Sequence, residues 1–168
     1  MDEITLTGYT PGALGRIVEL QADYYARRWG LGLYFEAKAA TEMAEFLSRF
    51  DAERDGAWFA HAGGQIVGGI FIAGARADDQ DARLRWFIID EAYQGLGLGK
   101  RLMDAAMEFC RRQQFRRVYL TTFHGLAAAR HLYEKYGFRL RGEEDGSHLT
   151  GNAALIEQVF EWLPNADA

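Results

Sequence analysis

The sequence is poor in cysteine, in proline and in long apolar runs. Its one cysteine, Cys110, excludes an internal disulfide and any metal site built from several cysteines. Only 2 prolines in 168 residues leave little room for linkers or disordered tails. No apolar run approaches the roughly 18 residues of a membrane span, and the start of the chain lacks the basic segment of a signal peptide. We therefore expect a single domain over residues 1–168 in the cytoplasm, without membrane contact.

Basic residues are also outnumbered. The net charge is -5 at pH 7, with 19 Lys and Arg against 24 Asp and Glu, which argues against a general nucleic-acid binder. The 49% of hydrophobic residues and 26% of charged residues are typical of a globular protein with an apolar core. Composition thus favours a globular domain without general affinity for nucleic acid.

The most informative segment is a glycine-rich turn at residues 94–100, QGLGLGK. It lies between an apolar run at 84–89 and a helical pattern at 98–112. Glycines let the main chain approach a ligand, and the first amides of a helix are unpaired donors that suit phosphate. Lys100 and Arg101 oppose the helix dipole in that first turn unless an anion is bound nearby. The segment predicts a phosphate-binding turn, and the alternative is a plain connector with two exposed basic residues.

Spacing narrows the choice of phosphate ligand. A P-loop requires glycine where Gln94 stands and Ser or Thr where Arg101 stands, and the dinucleotide fingerprint finds no third glycine in either frame. The pattern of Gln94, Gly97 and Gly99 instead resembles the pyrophosphate loop of the GNAT superfamily of acyl-CoA-dependent N-acetyltransferases. A second segment at 129–138, ARHLYEKYGF, is similar to the A-x-x-L-Y-x-K-x-G-F segment of that family. The opening helices and residues 130–140 are also similar to the acetyltransferase half of fusions with MarR-type DNA-binding domains.

Periodicity predicts the order β-α-α-β-β-β-α-β-α-β-β, which is also the order of the GNAT family. Thr10 is the expected N-cap of the first helix, with Pro11 at its first position, and the helix ends at Gly30. The other predicted helices cover 34–50, 98–112 and a segment from Leu126 to Gly137. Strands are predicted at 4–7, 58–61, 66–73, 84–89, 118–123, 138–141 and 155–162, with polar loops at 76–81 and 142–152. This order implies an α/β fold with a mixed, mostly antiparallel sheet of about seven strands and helices on both faces.

The resemblance implies acetyl-CoA as cosubstrate and no metal. Its pantetheine arm is expected along the strand that precedes the glycine turn, and its pyrophosphate at the turn itself. The residues implied for binding are Phe87, Ile88, Ile89, Asp90, Gln94, Gly95, Leu96, Gly97, Leu98, Gly99, Lys100, Ala129 and Tyr133. The N–H group of Ile88 or Ile89 is the candidate for stabilising negative charge on the thioester oxygen.

Tyr133 matches the tyrosine that commonly protonates the leaving thiolate in the family, and packing in the core is the alternative. Glu36 and His124 are candidates for a base or for contact with the acceptor. Asp90, Glu91 or a water relay are the other options for the base. Leu126 stands where many relatives carry an asparagine near the thiol.

The implied function is transfer of an acetyl group from acetyl-CoA to a primary amine of a small molecule or protein, by direct attack in a ternary complex. The alternative is a non-catalytic acyl-CoA-binding or sensing module that serves a transcriptional partner. Two acidic segments favour a cationic amine, although solvated loop tips are the simpler explanation. These segments contain Asp78, Asp79 and Asp81, and Glu143, Glu144 and Asp145. Both a monomer and a homodimer fit the sequence.

Overall fold

The computed structural model describes residues 2–75, 80–152 and 154–165, with the backbone alone at 148 and 149. The strands are β1 (Thr5–Thr7), β2 (Gly56–Ala62), β3 (Gln65–Gly74), β4 (Asp81–Ile89), β5 (Arg117–Phe123), β6 (Arg139–Asp145) and β7 (Ile156–Trp162). The helices are α1 (Ala13–Trp29), α2 (Leu33–Ser48), α3 (Leu98–Arg112), α4 (Ala127–Lys135) and α5 (Ser147–Thr150), with a 3₁₀ turn at Glu91–Tyr93. Among the helices of these ranges, none has the length and apolar character to cross a membrane.

The seven strands form one sheet in the order β1-β2-β3-β4-β5-β7-β6. Neighbouring strands are antiparallel, except β4 and β5, which are parallel. Successive side chains of a strand point to opposite faces, so Ile70 and Ile72 pack with α3 and α4 while Phe71 packs with α1 and α2. The predicted mixed sheet with helices on both faces is confirmed.

The start of α1 differs from the prediction. Gly12, not Thr10, is the N-cap residue, with φ at 90° and no side-chain cap. Thr10 contributes its carbonyl oxygen, which accepts a hydrogen bond from the amide of Ala13 at 3.0 Å. Pro11 and Gly12 therefore form a turn ahead of the helix, because glycine reaches a left-handed conformation that threonine avoids.

The predicted polar loop at 142–152 is wrong. Strand β6 continues to Asp145, which pairs with Ile156, and α5 follows it. The Asp145 carboxylate accepts a hydrogen bond from the amide of Ser147 at 2.7 Å, which starts α5. Strand β6 lies at the edge of the sheet and is largely exposed, so its residues show no apolar alternation. Strand β4 also starts earlier than predicted, at Asp81, and residues 76–79 of the other predicted loop lie outside the described residues.

Strands β4 and β5 separate towards their carboxyl ends. Among the described residues they pair only from Asp81 opposite Arg117 to Arg83 opposite Tyr119. Beyond that point β4 stays with β3 through a bulge, where residues 85–88 of β4 face residues 69–71 of β3. Trp86 lies in the bulge with φ at 48°, a value that bulky residues rarely adopt. A bulge bends its strand, and here it accompanies a gap between β4 and β5.

Candidate active site

A cavity of about 530 Å³ occupies the gap between β4 and β5. On the side of α3 and α4 its walls include Phe87, Leu132 and Tyr133. On the side of α1 and α2 they include Tyr25 and Lys38. Because the two strands separate, two molecules that enter from opposite faces of the sheet can meet within it.

The glycine loop forms one part of the cavity wall. Gly95 and Gly97 have φ at 76° and 78°, and Gly95 and Gly99 line the cavity. A Cβ atom at Gly99 would lie 3.2 Å from Cδ2 of Leu132, so glycine lets α3 begin close to α4. The amide of Arg101 donates to the Gly97 carbonyl at 3.2 Å, and the amides before it belong to the first helical turn, which lacks intrahelical acceptors. The loop therefore offers backbone donors at the positive end of the α3 dipole.

Tyr133 is buried in the wall of the same cavity. Its side chain is 6% exposed and packs near Phe87 and Phe138, with ring centroids 6.2 Å and 6.1 Å away. Burial raises the pKa of its hydroxyl well above the ordinary value, so the group stays protonated and can donate its proton. Tyr25 approaches from α1, and its own pKa is raised chiefly by burial and also by the nearby Tyr133. The cavity wall thus includes a tyrosine from each face of the sheet.

The backbone amide of Ile89 points into the gap. The amide of Asp90 donates to the carbonyl of Val67 on β3 at 2.8 Å. Backbone groups of successive strand residues point alternately to the two neighbouring strands, so those of Ile89 point away from β3. The Ile89 carbonyl accepts a hydrogen bond from Nε2 of Gln94 at 3.2 Å, outside the pairing with β3. Of the two predicted amides, the geometry favours Ile89 over Ile88.

A cluster of charged side chains lines the cavity on the α2 side. The Glu42 carboxylate pairs with Lys38 and, at 2.6 Å, with the Arg85 guanidinium. Arg83 lies two residues before Arg85 on the same face of β4. It donates to Oγ1 of Thr121 at 2.9 Å. We call Lys38, Glu42, Arg83 and Arg85 the cationic cluster, since three of its four members carry positive charge.

The charges of the cationic cluster shift one another. Burial, and then the charge of Arg83, lower the pKa of Arg85 below its usual range. Burial acts to raise the pKa of Glu42, but the hydrogen bond from Lys38 and the charge of Arg85 outweigh it and hold that pKa below its ordinary value. Glu42 is therefore an anion at neutral pH and a weak proton acceptor.

The sequence matches a family model described as the Acetyltransferase (GNAT) family over residues 16–138. The chain belongs to the GNAT acetyltransferase family. N-acetylaspartate synthetase of Danio rerio is 33% identical over 141 residues, which cover 83% of this chain and 50% of that protein. Spermine/spermidine N(1)-acetyltransferase of Bacillus subtilis (strain 168) is 40% identical over 74 residues, 44% of this chain and 47% of that protein. The chain spans about half the length of these curated relatives.

Solved structures agree on the fold. Ribosomal-protein-alanine N-acetyltransferase from Brucella melitensis superposes with a TM-score of 0.74 at 15% identity, over 95% of this chain and 99% of that one. An acetyltransferase of the GNAT family from Staphylococcus aureus Mu50 gives 0.74 at 19% identity, over 96% and 99%. At these identities the likeness shows the GNAT fold alone. The predicted similarity to MarR-type fusions stays a prediction.

The structure brings most of the residues predicted to bind acetyl-CoA to the cavity between β4 and β5. Those that line it are Phe87, Ile88, Ile89, Gln94, Gly95, Gly99, Ala129 and Tyr133. The side chains of Asp90, Leu98 and Lys100 are engaged elsewhere, and Leu96 and Gly97 lie beside the lining rather than in it. Asp90 pairs with Arg16 at 3.3 Å, Leu98 is buried in the core, and Lys100 pairs with Asp104 at 2.8 Å. The Lys100 charge is thus balanced within α3.

The predicted bases do not line the cavity. Glu36 and His124 are both exposed and lie outside the lining. Glu91 bonds to two arginines of α1, and these hydrogen bonds hold its pKa below the usual range. Among the described lining residues, Glu42 is the one carboxylate, and it is paired with Lys38 and Arg85. The geometry therefore gives no support to a base role for Glu36 or His124.

The described residues of the predicted acidic segments also lie away from the lining. Asp78 and Asp79 are outside the described residues. Asp81 pairs with Arg117 at 3.2 Å where β4 begins. Glu143, Glu144 and Asp145 lie on the edge strand β6, and Glu143 accepts a hydrogen bond from Gln158 at 2.9 Å. None of the described members lines the cavity, so they give a cationic acceptor no contact there.

Sequence reasoning missed the cationic cluster. Arg83 and Arg85 alternate with apolar residues, as on a two-faced strand, but the predicted strand begins at residue 84 and contains only the second of the two arginines. Lys38 and Glu42 are four residues apart on a helix, a spacing that is common on solvated surfaces. No signal in the sequence marks the positive φ of Trp86.

Leu126 lies in the cavity wall at the start of α4. It packs with an apolar group that contains Leu31, Phe35 and Phe123. An apolar contact therefore stands where many GNAT relatives place an amide.

Proposed function

We propose that this GNAT protein transfers the acetyl group of acetyl-CoA to a primary amine, by direct attack while both substrates are bound. The observation that carries the proposal is the cavity between β4 and β5, whose walls include the glycine loop, Tyr133 and Ile89 and also the polar residues of α2. A thioester that enters from the side of α3 and an amine that enters from the side of α2 would meet there.

The residues of the α3 side fit acetyl-CoA. The open amides at the start of α3 and the positive φ values of Gly95 and Gly97 suit a pyrophosphate, which needs several backbone donors at short range. Strand β4 suits the pantetheine amides, because beyond Arg83 its edge has no pairing with β5 among the described residues. Phe87 and Ile89 give that part of the wall an apolar character.

The chain supplies two groups for the chemistry. The Ile89 amide stabilises the negative charge that develops on the thioester oxygen, a contribution that is typically about 3–4 kcal/mol. The Tyr133 hydroxyl protonates the leaving sulfur, and the proton that the amine nitrogen loses as the amide forms restores the hydroxyl. From ordinary pKa values near 10 and 8.5, this transfer costs about 2 kcal/mol. Burial raises the pKa of Tyr133, and it acts in the same direction on a thiol in the same apolar cavity, so the difference between the two is partly preserved.

Two observations keep a second function in view. The described lining lacks a free base, and Leu126 replaces the amide of many relatives. Both features would suit a non-catalytic acyl-CoA sensor that serves a transcriptional partner.

The test is amine-dependent release of CoA. Acetyl-CoA is incubated with the protein and a panel of primary amines, free CoA is measured with a thiol reagent, and N-acetylated product is measured by mass spectrometry. Cys110 is buried, so the protein contributes little background. We expect release in equal amount to product with at least one amine. Calorimetric binding of acetyl-CoA without release by any amine would contradict transfer and support the sensor.

A further inference from the structure

We propose that the acceptor amine carries carboxylates, that the cationic cluster binds them, and that an acidic amino acid is the best fit. This inference rests on the proposed acetyl transfer and names the class of its acceptor. The names of the relatives point in two directions, to aspartate for one protein and to polyamines for the other. The charges of this chain distinguish these chemistries.

The charge of the cationic cluster is opposite to that of an acidic amino acid. Lys38, Arg83 and Arg85 bring three positive charges to the cavity wall and Glu42 brings one negative charge, which leaves a net charge of +2. An acidic amino acid whose amine is neutral and ready to attack has a charge of -2. A polyamine would instead add positive charge beside three cations, which is unfavourable at short range.

Arg83 and Arg85 both retain N–H donors for a carboxylate. Arg85 uses one terminal nitrogen for Glu42 and Arg83 uses one for Thr121. A guanidinium has five N–H groups, so each arginine retains donors for a carboxylate, which it can bind with two parallel hydrogen bonds. The Arg85 guanidinium stacks 4.1 Å from the Trp86 ring centroid, which orients its plane.

Lys38 and Arg85 of the cationic cluster are sheltered from solvent. The side chains of Arg85 and Lys38 are 16% and 19% exposed, against 60% for Arg28 at the surface of α1. Sheltered charges are screened little by salt, so a carboxylate bound among them is held more strongly than at the surface. Arg83 and Arg85 lie two residues apart on β4, opposite Ala73 and Phe71 of β3, so the alternation of the strand places both on one face. Phe71 packs with α1 and α2, so this is the acceptor side of the gap.

The first experiment compares acceptors that differ in charge and little in shape. Aspartate and glutamate are compared with asparagine and glutamine, and with spermidine, by kcat/KM for CoA release. We expect the acids to exceed their amides and spermidine by about tenfold or more, as for loss of one charge-assisted hydrogen bond. Preference for spermidine or for the amides would overturn the carboxylate proposal and leave acetyl transfer intact.

The second experiment removes one charge of the cluster. Arg85→Gln should raise KM for aspartate by about 10- to 100-fold and change KM for asparagine much less. Arg83→Gln should act in the same direction and leaves the pair between Arg85 and Glu42 in place, so it serves if the first variant is unstable. Arg28→Gln is the matched control, because it removes the same charge from an exposed site outside the lining. The proposal would be overturned if the ratio of the KM for aspartate to the KM for asparagine were the same in the Arg85, Arg83 and Arg28 variants.

The third experiment separates the binding site from the reaction. Succinate has two carboxylates and no amine, and succinamide has the same shape without charge. With CoA present, calorimetry should detect succinate binding to the parent protein, weakened by Arg85→Gln, and little binding of succinamide. If no amine is acetylated but succinate binds in this way, acetyl transfer fails and the carboxylate site stands. Equal binding of the two compounds, or succinate binding that is unchanged in Arg85→Gln, would contradict the carboxylate site.

Discussion

Removal of the Tyr133 hydroxyl oxygen is the sharpest perturbation of the proposed chemistry. In Tyr133→Phe the ring keeps its packing against Phe87 and Phe138, so fold and CoA affinity should change little. General acid catalysis is typically worth about 10²–10⁴-fold, and we expect the rate of the chemical step to fall by that factor. Because the contact forms only in the transition state, turnover should fall without a rise in the Michaelis constant.

Tyr136 provides the matched control for this variant. Its hydroxyl donates to the Asp104 carboxylate, with the Lys100 carbonyl oxygen 3.0 Å away, and Tyr136 lies outside the cavity lining. Tyr136→Phe should lose about 1 kcal/mol of stability and keep its rate of transfer. The assay is single-turnover acetyl transfer with saturating acceptor, beside a CoA titration and a melting curve.

The pH dependence gives a further check on Tyr133. A donor must be protonated, and burial moves its pKa upward, so activity that depends on Tyr133 is retained through the alkaline range and lost only above the raised pKa. A Tyr133→Phe protein that folds, binds CoA and transfers at the parental rate would refute the general-acid role. Equal losses in the Tyr133 and Tyr136 variants would refute it too.

Other predictions address the loop, the bulge and the thiol. Gly95→Asp should weaken CoA binding about tenfold or more relative to Gly95→Asn, since both side chains tolerate φ at 76° and only aspartate adds charge beside the pyrophosphate. Equal CoA affinities of the two variants, measured by calorimetry, would contradict CoA binding at the glycine loop. Gly68→Ala should cost about 1–3 kcal/mol and slow turnover, because its Cβ would lie 2.9 Å from the Ile88 carbonyl oxygen, whereas Gly74→Ala should lower the melting temperature alone. Normal turnover of the Gly68 variant would contradict this. The Cys110 thiol, whose pKa burial raises to about 12, should react with a maleimide only after unfolding, and rapid labelling of the native protein would disprove this.

The cosubstrate side of the site was predictable because it depends on local backbone rules. Glycines at 95, 97 and 99 between a buried strand and a helix identify a turn with open amides wherever they occur. Tyr133 falls on the buried stripe of a short helix, and its place in the cavity wall follows once the neighbouring strand is assigned. The order of strands and helices was predictable for the same reason, since each core segment carries its own periodicity.

The acceptor side was not predictable because it depends on contacts between distant elements. Lys38 and Glu42 lie on α2, Arg83 and Arg85 lie on β4, and their sequences show only a solvated helix face and the start of a strand. The second half of the edge strand β6, residues 142–145, escaped prediction because both its faces meet water and no apolar alternation marks it. The bulge at Trp86 arises from how β4 pairs with β3, a property of the sheet rather than of the segment.

Direct transfer requires that two substrates meet in the gap between β4 and β5. The most direct measurement is a rapid-quench single turnover, in which protein loaded with acetyl-labelled acetyl-CoA is mixed with excess amine. The label should pass to the amine as fast as CoA appears, and no labelled protein should form before it. Labelled protein that precedes product, or label that remains on CoA with every amine, would contradict direct transfer.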